Sequence, residues 1–397
     1  MAAFARVASR RISTFAFLAA SLFFALSAPA FAAVADKPAP FGDELKGKAY
    51  VVRDLQSGET LAALNADQSV EPASLTKLMT AYLVFEALAD GRIRLDDVVT
   101  PSEKATKMAG SRMFVEPGKP VAVEDLIKGL IVQSGNDAAV ALAETVAGSE
   151  DAFVERMNAA AKRLGMTGTR FENASGMPGE THRSTAADLA LLSEAIMRDF
   201  PDRYHYYSIK EFTFNKIRQS NRNTLLFSDP NVDGLKTGHT QSAGFNLIAS
   251  SHRDGRRVLS VLIGSDSEKR RAADSSRLLN WAIDSFATTK LFSGGAPITE
   301  LRVYKGKGNK LKVGFFGDMY VSLPKNVSQA QLGTALTFTQ PLVAPIAKGQ
   351  KIGTLTVTVN GTAHSQRDVF ALEDIQAAGW IGRVWDSILL WARSFFD

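Results

Sequence analysis

At 397 residues the chain is long enough for two domains, and 45% hydrophobic residues supply an ordinary core. It contains no cysteine, which excludes disulfides, thiolate catalysis and cysteine-held metals. The formal net charge is +5, but Arg6, Arg10 and Arg11 lie in the first 32 residues, which hold no acidic residue. Without that segment the charge is +2, which gives no case for a nucleic-acid partner.

Those first residues read as an export signal. The three arginines form a positive region, Phe15 to Leu26 is almost entirely apolar, and Ala30-Phe31-Ala32 is a small-x-small cleavage pattern. Arg10-Arg11 also matches a twin-arginine signal, although a pair of arginines is thin evidence. An uncleaved N-terminal anchor competes with cleavage; the polar Asp36-Lys37-Pro38 that follows favours cleavage.

Residues 36–290 alternate between strand and helix patterns. Ala49–Val52 and Glu59–Leu64 flank Ser57-Gly58 as a hairpin. After Pro72, Leu78, Met79, Tyr82, Leu83 and Leu88 recur at helical spacing, so a helix is expected to begin near Ser74. Helices are predicted over Val123–Gln133 and Ala138–Ala147, broken at Ser134-Gly135-Asn136, and over Glu150–Leu164 and Thr185–Met197. Strands follow at Gly234–Thr237, Phe245–Ser250 and Val258–Gly264, then a helix from Ala273 to Phe286. This order predicts an α+β domain, an antiparallel sheet packed against helices.

Gly294-Gly295-Ala296-Pro297 reads as a linker. Beyond it, residues 296–369 form short alternating strands. Thr354, Thr356 and Thr358 alternate with Leu355, Val357 and Val359 before the turn Asn360-Gly361. Gly306-Lys307-Gly308 lacks the third glycine of a dinucleotide fingerprint and reads as a hairpin turn. With no cluster of reactive residue types, this domain reads as all-β and non-catalytic.

Residues 372–397 predict an amphipathic helix. Gln376, Gly379, Arg383, Asp386, Ser387, Leu390 and Arg393 share one arc; Trp380, Ile381, Val384, Trp385, Ile388, Leu389 and Trp391 fill the other. Charges interrupt it too often for a membrane span of about 20 apolar residues. A helix lying in a membrane interface fits the aromatic face, and a helix packed on its own β domain or on a partner is the competing reading.

Chemistry enters through three spaced motifs. Ser74 and Lys77 share a helix face, a hydroxyl beside an amine. Ser134-Gly135-Asn136 follows 60 residues on, and Lys236-Thr237-Gly238 lies 102 residues beyond that. Each motif alone is weak. The ordered set S-x-x-K, S-x-N, K-T-G belongs to penicillin-binding proteins and class A β-lactamases.

The chain therefore resembles the D-alanyl-D-alanine carboxypeptidases of the low-molecular-mass penicillin-binding proteins (peptidase family S11). The likeness extends to Glu71-Pro72-Ala73, Gln133 and Asp137, Ser184–Leu189, Asn221-Arg222-Asn223 and Asp233–Thr240. It implies a β-lactamase/transpeptidase-like catalytic domain, a small all-β domain and an amphipathic anchor on the periplasmic face of the inner membrane. It also implies peptidoglycan pentapeptide as substrate, β-lactam antibiotics as inhibitors, and neither cofactor nor metal.

In that frame Ser74 is the nucleophile and Lys77 its base, with Lys236 the neighbouring cation that helps burial lower the Lys77 pKa. Ser134 shuttles the proton and Asn136 holds the substrate amide. The N–H groups of Ser74 and His239 form the oxyanion site. Lys236, Thr237, Gly238 and Arg222 bind the substrate end, Arg222 with a surface ion pair as its alternative. Asp188 starts or braces a helix. DD-endopeptidase and β-lactamase activity remain open, as does a non-enzymatic wall-binding role.

Overall fold

The computed structural model describes residues 35–393. The expected export segment, residues 1–32, lies outside them.

A hairpin of β1 (Ala49–Asp54) and β2 (Glu59–Leu64) begins the fold. The chain then turns through a 3-10 turn at Ala73–Thr76 into helix α1 (Lys77–Ala89). Helices α2 (Val123–Val132), α3 (Asn136–Ala147), α4 (Glu150–Arg163) and α5 (Ala186–Asp199) follow. Three antiparallel strands return: β3 (Val232–Thr240), β4 (Gly244–Arg253) and β5 (Arg256–Ser265). Helix α6 (Glu268–Ser285) closes this part.

The five strands form one antiparallel sheet in the order β2-β1-β5-β4-β3, with β3 at its edge. Alternation along the central strands feeds two cores. Val51, Ile248, Val261 and Ile263 face α1 to α5. Val52, Leu247, Ala249 and Leu262 face α6 through Leu278, Leu279 and Ala282. Helix α1 is buried on nearly every side, which explains its continuous apolar run.

Helix starts carry side-chain caps. Ser149 and Thr185 accept from the Ala152 and Asp188 N–H groups. Ser267 accepts from Arg270 N, so α6 begins at Glu268 rather than Ala273. The charged run Glu268–Arg271 hid that first turn from apolar periodicity. Asp188 braces a neighbouring loop, accepting from Gly168 N at 2.9 Å and Thr169 Oγ1 at 2.6 Å.

After α6 the chain passes without a break into β6 (Phe286–Phe292). Further strands are β7 (Pro297–Tyr304), β8 (Lys310–Gly314), β9 (Met319–Pro324), β10 (Leu332–Phe338), β11 (Leu342–Val343), β12 (Lys351–Val359) and β13 (Thr362–Ala371). They form a six-stranded sheet, β10-β12-β13-β8-β7-β11, and the pair β6-β9, around a core of their own. Gly294-Gly295 is therefore a turn between β6 and β7, not a spacer ahead of the strands. Residues 372–379 are not helical, because Ile375 bridges Ile346 and Ala377 bridges Gly306. Helix α7 spans Trp380–Arg393, and residues 394–397 lie outside the described residues.

A polar seam joins the β1–β2 hairpin to the second sheet. The Asp54 carboxylate, fully buried, accepts from Gln56 N and Ser57 N at 2.9 Å, Arg256 Nε at 2.6 Å and Thr288 Oγ1 at 2.5 Å. Glu59 accepts from Ser322 N at 2.8 Å and pairs with Arg367 at 3.3 Å. Removing one partner of a buried pair leaves the other charge without compensation. Asp54→Ala is therefore expected to lower the unfolding free energy by about 3–5 kcal/mol, measured by urea denaturation. A loss below about 1 kcal/mol would show that Arg256 finds other partners.

Candidate active site

Ser74 lies in the 3-10 turn that leads into α1. Ala73 before it takes a left-handed φ of +48°. Gly176, at φ +85°, passes so near that a Cβ there would stand 1.9 Å from the Ala73 carbonyl oxygen. Only glycine allows that approach, and it carries the neighbouring Ser175 carbonyl over Lys77.

Lys77 is 1% exposed. Its Nζ lies 3.1 Å from Ser74 Oγ, 2.7 Å from Asn136 Oδ1 and 2.5 Å from the Ser175 carbonyl oxygen. Burial, opposed by the Asp137 charge and aided by that of Arg222, lowers its pKa to about 7. A neutral amine has two N–H groups and one lone pair. The two carbonyl oxygens can only accept, so they take both N–H groups. The lone pair then faces the Ser74 hydroxyl. This arrangement can draw a proton from Ser74.

Ser134 takes a left-handed φ of +59° between α2 and α3, and its Oγ accepts from Lys236 Nζ at 2.8 Å. Lys236 also donates to the Thr237 carbonyl at 2.9 Å. Burial holds its pKa well below the ordinary lysine value, and the charges of Lys77, Arg222 and Arg271 add to that. Arg222, which reaches the cleft from a separate loop, also lowers Lys77, and Lys77 and Lys236 disfavour each other's charge.

Asn136 is held by contacts within the protein. Its Oδ1 serves Lys77 and its Nδ2 donates to the Ala109 carbonyl at 2.7 Å, with Met177 Sδ at 3.7 Å. It is a brace for the base before it is a substrate contact.

A cleft of about 160 Å³ opens along the β3 edge, lined by Ser74, Ser134, Arg222, Thr237, Gly238 and His239. At Gly238 a Cβ would press at 3.1 Å on Leu75 Cγ and the Pro72 carbonyl, so the missing side chain lets β3 lie against the Ser74 turn. The His239 ring is exposed and packs on Phe245 with centroids 4.1 Å apart. Arg222 has no ion-pair partner among the described residues. Asn223 holds its loop to β3, donating to the Gly234 carbonyl at 2.9 Å.

Four cleft residues had no signal in the motifs: Ser111, Phe245, Glu268 and Arg271. Arg271 is buried, pairs with Glu268 at 2.9 Å and donates to the Arg222 carbonyl at 3.3 Å. Asp137 shapes the wall that carries Ser111. Its carboxylate accepts from the N–H groups of Met113, Phe114 and Val115 at 3.0, 2.8 and 3.2 Å.

The family model described as D-alanyl-D-alanine carboxypeptidase matches residues 33–267, and that of the penicillin-binding protein 5 C-terminal domain matches residues 286–377. The chain belongs to the D-alanyl-D-alanine carboxypeptidase family. It is 41% identical to the D-alanyl-D-alanine carboxypeptidase DacC of Escherichia coli over 392 residues, 96% of this chain and 97% of that protein. It is 39% identical to Haemophilus influenzae DacA, covering 98% of this chain and all of the other. The crystal structure of penicillin-binding protein 5 from Haemophilus influenzae superposes with a TM-score of 0.80 at 40% identity, over 86% of this chain and all of that one.

His182 is 2% exposed beneath the Ser74 turn. Its Nδ1 accepts from Glu172 N at 3.1 Å, and its Nε2 lies 2.8 Å from Thr76 Oγ1, so the neutral ring donates to Thr76. Burial lowers its pKa from 6.5 to about 4. The unfolded chain therefore binds this proton more readily than the native one. The stabilisation is complete above pH 6.5 and is lost as pH falls through about 4. His182→Gln is expected to remove about 3 kcal/mol of acid destabilisation between pH 7 and 4, read from denaturant midpoints at each pH. Parallel curves for the two proteins would refute the assignment.

Proposed function

We propose that the cleft is the centre of a serine-type D-alanyl-D-alanine carboxypeptidase, which removes the terminal D-alanine from peptidoglycan pentapeptide through an ester on Ser74. The observation that carries this reading is the buried Lys77 amine, with a pKa of about 7, facing the Ser74 hydroxyl.

Lys77 takes the hydroxyl proton as Ser74 Oγ attacks the carbonyl of the penultimate D-alanine. The backbone N–H groups of Ser74 and His239 receive the oxyanion, each worth about 2.7–4 kcal/mol. The proton held by Lys77 passes through the Ser134 hydroxyl to the departing D-alanine amine, which returns Lys77 to the neutral form and Ser134 to the hydroxyl. The terminal carboxylate is held by Lys236, the Thr237 hydroxyl and Arg222, with Arg271 behind them. An anion there favours the charged form of Lys236, which burial otherwise disfavours. Water then opens the ester, Lys77 acting again as the base. Penicillins acylate the same serine.

The test is acylation by a fluorescent penicillin together with D-alanine release from the pentapeptide. Both are expected to vanish in Ser74→Ala. In the wild type the acylation rate is expected to fall about tenfold per pH unit below pH 7, because the neutral fraction of Lys77 falls so. Equal labelling of both proteins sinks the nucleophile; a flat profile from pH 5 to 8 sinks the base.

We also propose export through residues 1–32 and attachment to the outer face of the cytoplasmic membrane through α7. Among the described residues, no helix is long and apolar enough to cross a membrane. The Asp386 carboxylate accepts from Lys305 N, which ties the polar side of α7 to the β domain. Trp380, Ile381, Val384 and Trp385 are 72, 67, 53 and 64% exposed. Such a stripe suits the headgroup boundary. The protein without residues 1–32 is expected to co-sediment with phosphatidylcholine vesicles, and the double variant Trp380→Ser, Trp385→Ser to remain in solution. Equal sedimentation of the two would overturn the anchor.

A further inference from the structure

A second polar cavity, of about 210 Å³, lies behind the Ser74 turn, walled by Lys48, Glu71, Arg183 and Ser242. It shares no lining residue with the catalytic cleft. Glu71 precedes Ser74 by three residues, and Ser242 follows His239 by three in the β3–β4 turn. The Glu71 and Ser242 walls are thus tied to the cleft by at most about 10 Å of chain.

Its charges are unsatisfied. The Lys48 stem lies over Gly264, and its ammonium has no ion-pair partner among the described residues. Arg183 Nη1 reaches only the carbonyls of Gly179 and His182, at 3.3 and 3.0 Å. The one carboxylate, Glu71, accepts from the Ser242 hydroxyl at 2.5 Å. Two cations against one anion leave the cavity with a net positive charge.

The sheet sets the direction of a bound peptide. Arg271 belongs to α6, which packs on one face of the sheet, whereas Ile263 in the cavity wall faces the helices on the other. For a substrate whose terminal carboxylate sits at Arg222 and Arg271, the edge of β3 at Gly238–Thr240 offers a path toward Ser242 and the second cavity. Two residues of extended peptide cover about 7 Å, within the roughly 10 Å of chain that ties Glu71 to Ser74.

We infer that this cavity is a subsite for a free carboxylate that the substrate carries two residues upstream of the residue acylating Ser74, as a γ-linked glutamyl residue does. Lys48 and Arg183 bind it, and Glu71 holds the β3–β4 turn in place through Ser242. The inference rests on the carboxypeptidase reading, which supplies the peptide and its direction.

Calorimetry on the Ser74→Ala protein separates the two. The probes are L-Ala-γ-D-Glu-L-Lys-D-Ala-D-Ala and the same peptide with the glutamyl carboxylate amidated. The acid form is expected to bind about tenfold more tightly, an advantage that added salt weakens. Lys48→Gln in that background is expected to bring the two peptides to equal affinity, and Arg183→Gln to do the same. Equal affinity before those substitutions, or an unchanged difference after both, overturns the subsite. D-alanine release by the unsubstituted protein is measured separately. Its absence with the affinity difference preserved would sink the carboxypeptidase reading and leave the subsite standing.

Discussion

Everything at the cleft depends on an amine that water does not reach. An exposed lysine holds its proton far above neutral pH, and burial of Lys77 under α1 and α3 removes that preference. Burial alone would leave the amine free to turn. The Asn136 amide oxygen and the Ser175 carbonyl prevent this, because each consumes one N–H. Much of the surrounding architecture can be read as support for those two acceptors. Gly176 admits the Ser175 carbonyl, Ala109 holds the far side of the Asn136 amide, and Asp137 secures the adjacent wall. Such outer partners decide whether a reactive group is merely near its target or aimed at it.

The legibility of this arrangement in the sequence follows from the kind of atom involved. Ser74, Lys77, Ser134, Asn136 and Lys236 stand in short motifs, so their types and order are visible before any fold is known. An antiparallel sheet packed against helices was also readable, from the order of the strand and helix patterns. Ser175 was not readable, because its contribution is a carbonyl oxygen, which every residue possesses. Arg271 was hidden in a charged helical turn, Glu268–Arg271, whose periodicity looks like solvated surface. Arg222 could be quoted as part of Asn-Arg-Asn, but its effect on the Lys77 proton depends on a loop held by Asn223. The start of α7 was misplaced for a related reason. Residues 375–377 look amphipathic, yet backbone pairing with Ile346 and Gly306 claims them for the β domain.

The same chain uses buried charge in two opposed ways. At the junction, Asp54 and Arg256 meet with several hydrogen bonds each, and the Asp54 carboxylate is stabilised below its ordinary pKa. In the cleft, Lys77, Lys236 and Arg271 face one another with few carboxylates between them, and all three are lowered. The first pattern consolidates structure. The second stores electrostatic stress that an incoming anion relieves, as expected where a site must recognise a carboxylate.

The two ends of the five-stranded sheet have different tasks. Asp54, paired with Val258, lies where the β domain takes hold; Phe245, paired with Ser265, lies beside the cleft. Six residue steps of β4, about 20 Å of strand, separate Phe245 from Ser251, which pairs with Val258. The sheet is therefore a ruler as well as a scaffold. It sets the distance between the catalytic mouth and the seam with the β domain, so that spacing is chosen by strand length.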